Sequence, residues 1–543
     1  MFRENKEHLQ QKFFSSTFWM DENIRERLMK GWAPLYYEHV FSCIDEKIFA
    51  PLYNETKGRP NFPVNILLSL EYFKHIYNYS DEELIEQFYF NAQISYALGI
   101  KNVGDINLAP RTLYYFRSKI YQYTVNNPEE EDMIFEQFIA LTKQFSKEAR
   151  ITTDKQRMDS TFVKSNIKKC GRLALVLDVL EKVIRIVAIE DLSEELKKEK
   201  ESDYTRKLLY QTKNSEIKNR LEYTIGLCSN LKDIMSKSKE LSFTQEYKLL
   251  ERLIYEQTDI DKSENSYTVK SGKSISADSL QSAYDTDATY RKKAEKESSG
   301  YILNIAETCS NENNIQLITD YNVDKNIISD VELINSRLPE IKENTNCREI
   351  TVDGGYYSDL TIDTATELSI KVNYTDMTGG KPSEDNISIL EFKLDENNKI
   401  LQCPMGLEPL DSYVKNNAST AHFIKSDCDK CPKKDSCIIK PHEELNGIRV
   451  KHETIKAELT RKDLKKNRKV NISCRAAIEG TMSELKRKHG ANDTKVRGLI
   501  KTYILEGLKV SACNIKRFIH YLSNSTDKNA IVKVSGIATP NFQ

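Results

Sequence analysis

The spacing of hydrophobic residues divides the chain into regions of different structure. Apolar side chains recur at helical intervals through the first 125 residues, for example in Val64–Ile76 after Pro63. Ser80 precedes a run of acidic residues, which is typical of a capped helix start. The pattern predicts an all-helical domain over residues 1–130.

After this region, strands and helices alternate. Runs rich in β-branched and apolar residues predict strands around Asp159, at Tyr301–Thr308 and at Ile315–Val323. Helical segments separate some of these strands, which predicts an α/β domain over residues 145–540. Residues 191–285 are rich in Lys and Glu, and we predict that they form a helical insertion within it.

The stretch Arg348–Asp359 joins a strand to a helix through a glycine turn. Ile350 to Val352 favour a buried strand, and Gly354 and Gly355 allow a sharp turn after Asp353. An acid at the carboxyl end of a strand is a common way to present a carboxylate in an α/β crevice. Asp353 alone is explained equally well as a residue that stabilises the turn.

The 543 residues suffice for two to four domains. Hydrophobic residues make up 39% and charged residues 30% of the chain, as in soluble globular proteins. No run approaches the roughly 20 apolar residues of a membrane span, and the N-terminal residues do not resemble a secretion signal. We therefore expect a cytoplasmic protein without membrane partners.

Charge is distributed unevenly along the chain. The net charge is −1, yet residues 451–540 contain 20 Lys and Arg against 8 Asp and Glu. This basic block favours a polyanionic partner, although a lysine-rich solvated helix gives a similar composition. Arg111 and Arg117, on a short predicted helix after a loop, resemble a helix-turn-helix reader of DNA.

The basic block contains a third candidate acid. Arg475, Glu479 and Lys486 are spaced by four and seven residues and therefore share one helix face. An exposed Arg475–Glu479 pair would give the same pattern. If this helix packs on the strands of Asp159 and Asp353, three carboxylates converge, and their repulsion calls for a cation. Oxygen ligands select Mg²⁺ or Mn²⁺, and two such ions catalyse phosphoryl displacement.

With these residues in view, the chain resembles the DDE transposases of bacterial insertion sequences, which have an RNase H-like catalytic core. The resemblance rests on the order of short motifs along nearly the whole chain. These motifs are Gly58-Arg-Pro, Asp159-Ser-Thr, Tyr284-Asp-Thr-Asp-Ala-Thr-Tyr, Gly300-Tyr, Asp353-Gly-Gly-Tyr-Tyr-Ser, Cys403-Pro-Met-Gly, Ile478-Glu-Gly-Thr, His489-Gly, Arg497-Gly-Leu and Asn514-Ile-Lys-Arg.

The resemblance implies the activity. Asp159, Asp353 and Glu479 would form the catalytic triad and hold two Mg²⁺ or Mn²⁺ ions. The enzyme would cleave DNA at inverted-repeat ends and transfer the 3′-hydroxyl strand into target DNA, as a dimer in the DNA complex. A transposase-derived DNA-binding protein and a nuclease without strand transfer remain alternatives. The residues expected to contact DNA are basic, namely Arg475, Lys486, Arg487, Arg497, Arg111 and Arg117.

Four of the 11 cysteines are clustered within residues 376–470, which we predict to form a small β-rich insertion. Cys403, Cys428, Cys431 and Cys437 include a C-x2-C knuckle, which favours a structural four-thiolate zinc site. Reduced cysteines that only pack are the alternative.

Overall fold

The computed structural model of the protein describes residues 1–10, 16, 19–102, 104–168, 171–201, 212–261, 266–293, 296–377, 383, 385–442 and 444–525. As predicted, the chain is helical before the first strand. The side chain of Ser80 caps one of these helices and forms a reciprocal capping box with Glu83. The helices of this region are α1 (Glu22–Met29), α2 (Trp32–His39), α3 (Val64–Tyr77), α4 (Asp81–Phe90), α5 (Ala92–Ala97), α6 (Pro110–Asn126) and α7 (Met133–Glu148).

Strand β1 (Lys155–Lys164) is followed by a helical unit with its own apolar core. This unit begins before residue 191, because the first helix after β1 contributes Leu173 to Ile184 to that core. Residues 202–211 and 262–265 of the predicted insertion lie outside the described residues. Its elements are α8 (Arg172–Ile184), α9 (Glu194–Glu201), α10 (Ile217–Ser236), α11 (Lys239–Ser242), α12 (Gln245–Gln257), β2 (Thr258–Asp261) and β3 (Ser266–Val269).

The main sheet is mixed, and β1 is its central strand. The next segments are β4 (Thr289–Lys293), β5 (Lys296–Thr308), β6 (Ile318–Lys325), α13 (Asp330–Asn344), β7 (Glu349–Val352), α14 (Asp359–Glu367) and β8 (Lys371–Tyr374). On one side β1 pairs antiparallel with β5, which pairs with both β4 and β6. On the other side β1 pairs parallel with β7, which pairs parallel with β8. The ends of β1 and β7 therefore lie side by side.

A small β-rich unit follows the main sheet. Its hairpins surround an apolar core that contains Phe392, Phe423 and Ile448. Its elements are β9 (Lys393–Leu394), β10 (Ile400–Gln402), β11 (Asp411–Lys415), β12 (Ala418–Ile424), α15 (Lys425–Asp429) and β13 (Leu445–Lys451).

Two long helices complete the described chain, α16 (His452–Lys488) and α17 (Leu499–Asn524). Residues 452–470, which the sequence suggested belong to the β-rich insertion, are the first half of α16. Buried residues of α17 pack into the N-terminal helical core, and others pack on the sheet. The N-terminal helices thus share a core with the end of the described chain. No helix within the described ranges has the length and apolar character needed to cross a membrane.

Candidate active site

Asp159 lies on the central strand of the main sheet and points toward α16. Its Oδ1 accepts a hydrogen bond of 2.8 Å from the backbone N–H of Ser160. Its Oδ2 accepts one of 3.1 Å from Nη2 of Arg475. The backbone thus orients one oxygen, while the second faces a cation on the neighbouring helix.

Asp353 follows the last residue of β7, and its two carboxylate oxygens have the same kinds of partner as those of Asp159. Its Oδ1 accepts a hydrogen bond of 2.7 Å from the backbone N–H of Gly355, and its Oδ2 lies 3.5 Å from Nη2 of Arg475. Asp353 therefore stabilises its turn and also contributes to the acid cluster. Its role in the turn is therefore compatible with its place in the acid cluster.

Gly354 holds this turn close to the segment after β8. Its N–H donates to Oδ1 of Asp376 at 2.9 Å. A Cβ at Gly354 would lie 2.4 Å from the same Oδ1 and 2.9 Å from the carbonyl oxygen of Asp376. Only glycine fits this approach without moving the turn that carries Asp353.

Glu479 reaches the same place from α16. Its Oε1 lies 3.7 Å from Nη1 of Arg475, one helical turn earlier. The Glu479 side chain is 66% exposed, whereas that of Asp159 is 15% exposed. The guanidinium of Arg475 therefore contacts all three predicted acids. The i,i+4 pair expected from the sequence exists, but its arginine also faces the sheet.

The electrostatics of Asp159 reflect this crowding. Burial raises the pKa of the Asp159 carboxyl, Arg475 opposes that rise, and the charges of Asp353 and Asp330 add to it. A cation in the cluster therefore favours the ionised form of Asp159, and removing that cation favours the protonated form.

A fourth acid, Asp330, borders the cluster and was not predicted from the sequence. It is the first residue of α13, and its Oδ1 lies 3.4 Å from Oγ of Ser160. A Cβ at Gly355 would lie 2.8 Å from Oδ2 of Asp330 and 3.0 Å from Oδ1 of Asp353. The missing side chain of Gly355 allows both carboxylates to approach the same turn. An acid after a capping serine resembles an ordinary helix start, so the sequence carried no distinct signal.

A buried ionic network, also missed from the sequence, attaches α16 to the sheet near Glu479. Arg157, two residues before Asp159 and on the same face of β1, donates from Nε to Oε1 of Glu307 at 2.8 Å. It also donates from Nη1 to the carbonyl oxygen of Cys474 at 3.0 Å. Oε2 of the fully buried Glu307 accepts from Thr481 at 2.7 Å and lies 3.3 Å from Nη1 of Arg517. These bonds fix the segment of α16 that carries Arg475 and Glu479.

The predicted DNA-contacting residues occupy different environments. Arg487 and Arg497 are exposed, and Arg497 stacks over the ring of Tyr284 at 5.5 Å. Lys486 is half-buried on α16. Arg475 lies within the acid cluster. These four residues remain candidates for DNA contact.

The two N-terminal arginines differ from each other. Arg111 is exposed, donates to the hydroxyl of Tyr115 at 2.9 Å and lies over the exposed ring of that residue. Arg117 forms two hydrogen bonds with Asp81, of 2.7 and 2.9 Å, and a third of 2.8 Å with Glu71. Its charge is compensated within the fold, whereas Arg111 is directed outward with aromatic neighbours.

The four clustered cysteines lie in the β-rich unit as free thiols. Cys403, Cys428 and Cys437 pack against its core, and the N–H of Cys431 donates to the carbonyl oxygen of Cys428 at 3.1 Å. Burial raises the pKa of the Cys428 thiol, and the other three sulfur atoms add to the shift. No three of these four sulfur atoms lie within 4.8 Å of one another in the structure, so a shared ion would require the side chains to move closer together.

Two family models match separate parts of the chain. The model described as Transposase domain (DUF772) matches residues 31–119, and the model described as Transposase DDE domain matches residues 402–519. These matches indicate an insertion-sequence DDE transposase. No curated protein and no solved structure matches the chain.

The family implies DNA as the substrate of this transposase and the use of a divalent metal. The DDE match contains Glu479 and the four clustered cysteines, and the N-terminal match contains Arg111 and Arg117. Asp159 and Asp353 lie outside both matches. Their assignment to the active site rests on the geometry around Arg475.

Proposed function

We propose that this transposase cleaves DNA at the ends of an insertion sequence and joins the freed 3′-hydroxyl to target DNA. The observation that carries the proposal is the contact of one guanidinium, that of Arg475, with Asp159, Asp353 and Glu479. Three carboxylates from two neighbouring strands and a packed helix therefore converge on one cation.

The donor set of this cluster fits Mg²⁺ or Mn²⁺, because all of its ligand atoms are carboxylate oxygens. Asp159, Asp353 and Glu479 would hold two ions once the guanidinium of Arg475 leaves the space between them. Bound ions would activate the attacking oxygen and stabilise the leaving oxygen of a phosphodiester. The backbone bonds to the Oδ1 atoms keep both Oδ2 atoms directed at the centre.

The sheet supports an RNase H-like core. One acid lies on the central strand and the next directly follows the adjacent parallel strand, so their ends share one edge of the sheet. Arg157 and Glu307 hold the third acid's helix against that sheet through their bonds to the carbonyl oxygen of Cys474 and the hydroxyl of Thr481. We assign the catalytic domain to residues 145–540, with the helical and β-rich units as insertions within it.

Exposed basic residues are available to bind the DNA backbone. Arg487 and Arg497 are exposed on or after α16, and the N-terminal helices present Arg111 beside aromatic rings. Arginine and lysine bind phosphates, and exposed aromatic rings stack on bases. We assign end binding to these residues and, because two ends must be paired, infer a dimer in the DNA complex.

We also propose a structural zinc ion bound by Cys403, Cys428, Cys431 and Cys437. Four thiolates leave no open coordination position, so this ion would stabilise the β-rich unit and take no part in catalysis. Cys431→Ser should lower the zinc content by one ion per chain. Equal zinc in the variant and in the wild type would contradict this site.

The function is tested with the full chain and DNA that flanks its gene, which should contain inverted repeats. Incubation with Mg²⁺ and a target plasmid should release a 3′-hydroxyl end and join it covalently to the plasmid, and EDTA should prevent both steps. Cleavage without joining would favour the nuclease alternative. A mobility shift without cleavage would favour the DNA-binding alternative.

A further inference from the structure

A second cluster of metal-ligating side chains lies where α16 ends against α17. Glu484 is near the end of α16, His489 follows its last residue, and Cys513 lies on α17. One donor atom from each of these residues lies within 4.8 Å of the others. Among the residues that the structure describes, no other group of His, Cys, Asp and Glu meets this distance.

His489 is prepared as a ligand by its own hydrogen bond. Its Nδ1 lies 2.9 Å from the carbonyl oxygen of His75 on α3, and since a carbonyl only accepts, Nδ1 carries the hydrogen. Nε2 therefore bears the lone pair. The residue is fully buried, and Nε2 has no hydrogen-bond partner in the structure. Metal-binding histidines commonly donate their other ring N–H to a carbonyl oxygen in this way.

Glu484 is held in place by an arginine. Arg517 donates to Oε2 of Glu484 from Nε at 3.0 Å and from Nη2 at 2.9 Å. Oε1 lies 3.6 Å from Nζ of Lys488, beyond hydrogen-bond distance. Two strong bonds on one oxygen fix the carboxylate plane, as the outer partners of a metal ligand do.

Cys513 completes the set from the opposite helix. Its side chain is fully buried in the core that joins α17 to the sheet. With the thiol deprotonated, Cys513 and Glu484 bring two negative charges to the cluster. Glu307 contacts Arg517 as well as Arg157, so it compensates only one of these two arginines. The two negative charges of Cys513 and Glu484 would offset the charge of a divalent cation.

We propose that Glu484, His489 and Cys513 bind a zinc ion that joins α16 to α17. A carboxylate oxygen, an imidazole nitrogen and a thiolate sulfur are the three donor types of protein zinc sites. The site is separate from the catalytic acids and from the four clustered cysteines. The backbone of His75 orients one ligand, so the ion also connects the N-terminal helices to the helix that carries Glu479. It fixes the C-terminal end of that helix.

The test measures zinc per full-length chain after purification with zinc present. Cys513→Ser and His489→Gln should each contain one zinc ion fewer than the wild type, whatever the four clustered cysteines bind. Cys228→Ser is the matched control, since Cys228 is equally buried but packs in the core of the helical unit. It should retain the wild-type zinc content.

Wild-type zinc content in both variants would overturn the proposal. If a variant fails to fold, crystals of the wild type grown with zinc and measured at the zinc absorption edge decide the matter. An anomalous peak between Glu484, His489 and Cys513 supports the site. Absence of a peak at this position rejects it.

Discussion

Nη2 of Arg475 lies 3.1 Å from Oδ2 of Asp159, a residue 316 positions earlier in the chain. The same guanidinium contacts Asp353 and Glu479, and so it occupies the centre of the acid cluster. In this arrangement the arginine supplies the positive charge that a metal ion would supply during catalysis. If these acids hold the metal, as proposed above, metal binding and the Arg475 contacts compete.

Arg475→Ala should lower the stability of the metal-free protein by about 1–2 kcal/mol, because the carboxylates lose their compensating charge. Mn²⁺ should then raise the melting temperature more in the variant than in the wild type, because no guanidinium has to be displaced. Thermal unfolding with and without Mn²⁺ measures both effects. Arg475→Lys, which retains the charge, is the control. Equal Mn²⁺-induced shifts in Arg475→Ala and the wild type would disprove the competition.

Asp330→Asn should shift the pH dependence of cleavage. The negative charge of Asp330 helps to raise the pKa of Asp159, so its removal lowers that pKa. Because metal binding needs the ionised carboxylate, the acidic limb of the cleavage profile should move to lower pH. Cleavage rates between about pH 5 and pH 8 measure the shift. Loss of cleavage at every pH would instead make Asp330 an essential ligand.

Gly354→Ala should displace the turn that carries Asp353, because the new Cβ would collide with Asp376. We expect a loss of cleavage of about tenfold or more, as small displacements of catalytic groups are costly. End binding, measured by mobility shift, should persist. Gly480→Ala is the control, since nothing lies within 4 Å of its added Cβ. That change on α16 should raise stability by up to about 1 kcal/mol. Full cleavage by Gly354→Ala would contradict the tight fit at this turn.

Arg111→Ala and Arg117→Ala should separate DNA binding from folding. Arg117→Ala should cost about 2–4 kcal/mol in urea unfolding, because it leaves the carboxylates of Glu71 and Asp81 without their main partner. Arg111→Ala should leave stability within about 0.5 kcal/mol of wild type and weaken binding to element ends. If Arg117→Ala instead weakened DNA binding and Arg111→Ala lowered stability, Arg117 would be the DNA contact.

The Arg117 pair also has a predicted pH dependence. Although burial alone would raise it, bonds from Arg117 and Lys74 hold the pKa of Asp81 well below its ordinary value of 3.8. The stabilisation is therefore present at neutral pH and is lost as the pH falls below about 4 toward the folded-state pKa. The stability difference between the wild type and Arg117→Ala should shrink over the same range.

The local structure around the acids could be predicted from the sequence because it depends on short-range signals. β-branched residues before Asp353, two glycines after it and Ser358 as a cap specify a strand, a turn and a helix. The start of α16 at His452 could not be predicted. Residues 452–470 are mostly charged and lack apolar periodicity, so nothing distinguishes this part of the helix from a polar loop.

The long-range ionic contacts could not be predicted from the sequence either. Arg157 and Glu307 are 150 residues apart and meet only because β1 and β5 pair in one particular register. Arg475 and Glu479 have the spacing of any exposed helix pair. That the arginine also contacts the two aspartates follows from the packing of α16 on the sheet, which no local pattern records.

The most direct test of the account is cleavage of element-end DNA by Asp353→Asn in Mg²⁺. The substitution preserves the shape of the side chain and the Oδ1 contact with Gly355, but it removes the charge that binds an ion. We predict that cleavage falls by about 10³-fold or more while end binding in a mobility-shift assay is retained. Asp159→Asn should behave in the same way. Wild-type cleavage by either variant would contradict the assignment of these acids to the active site.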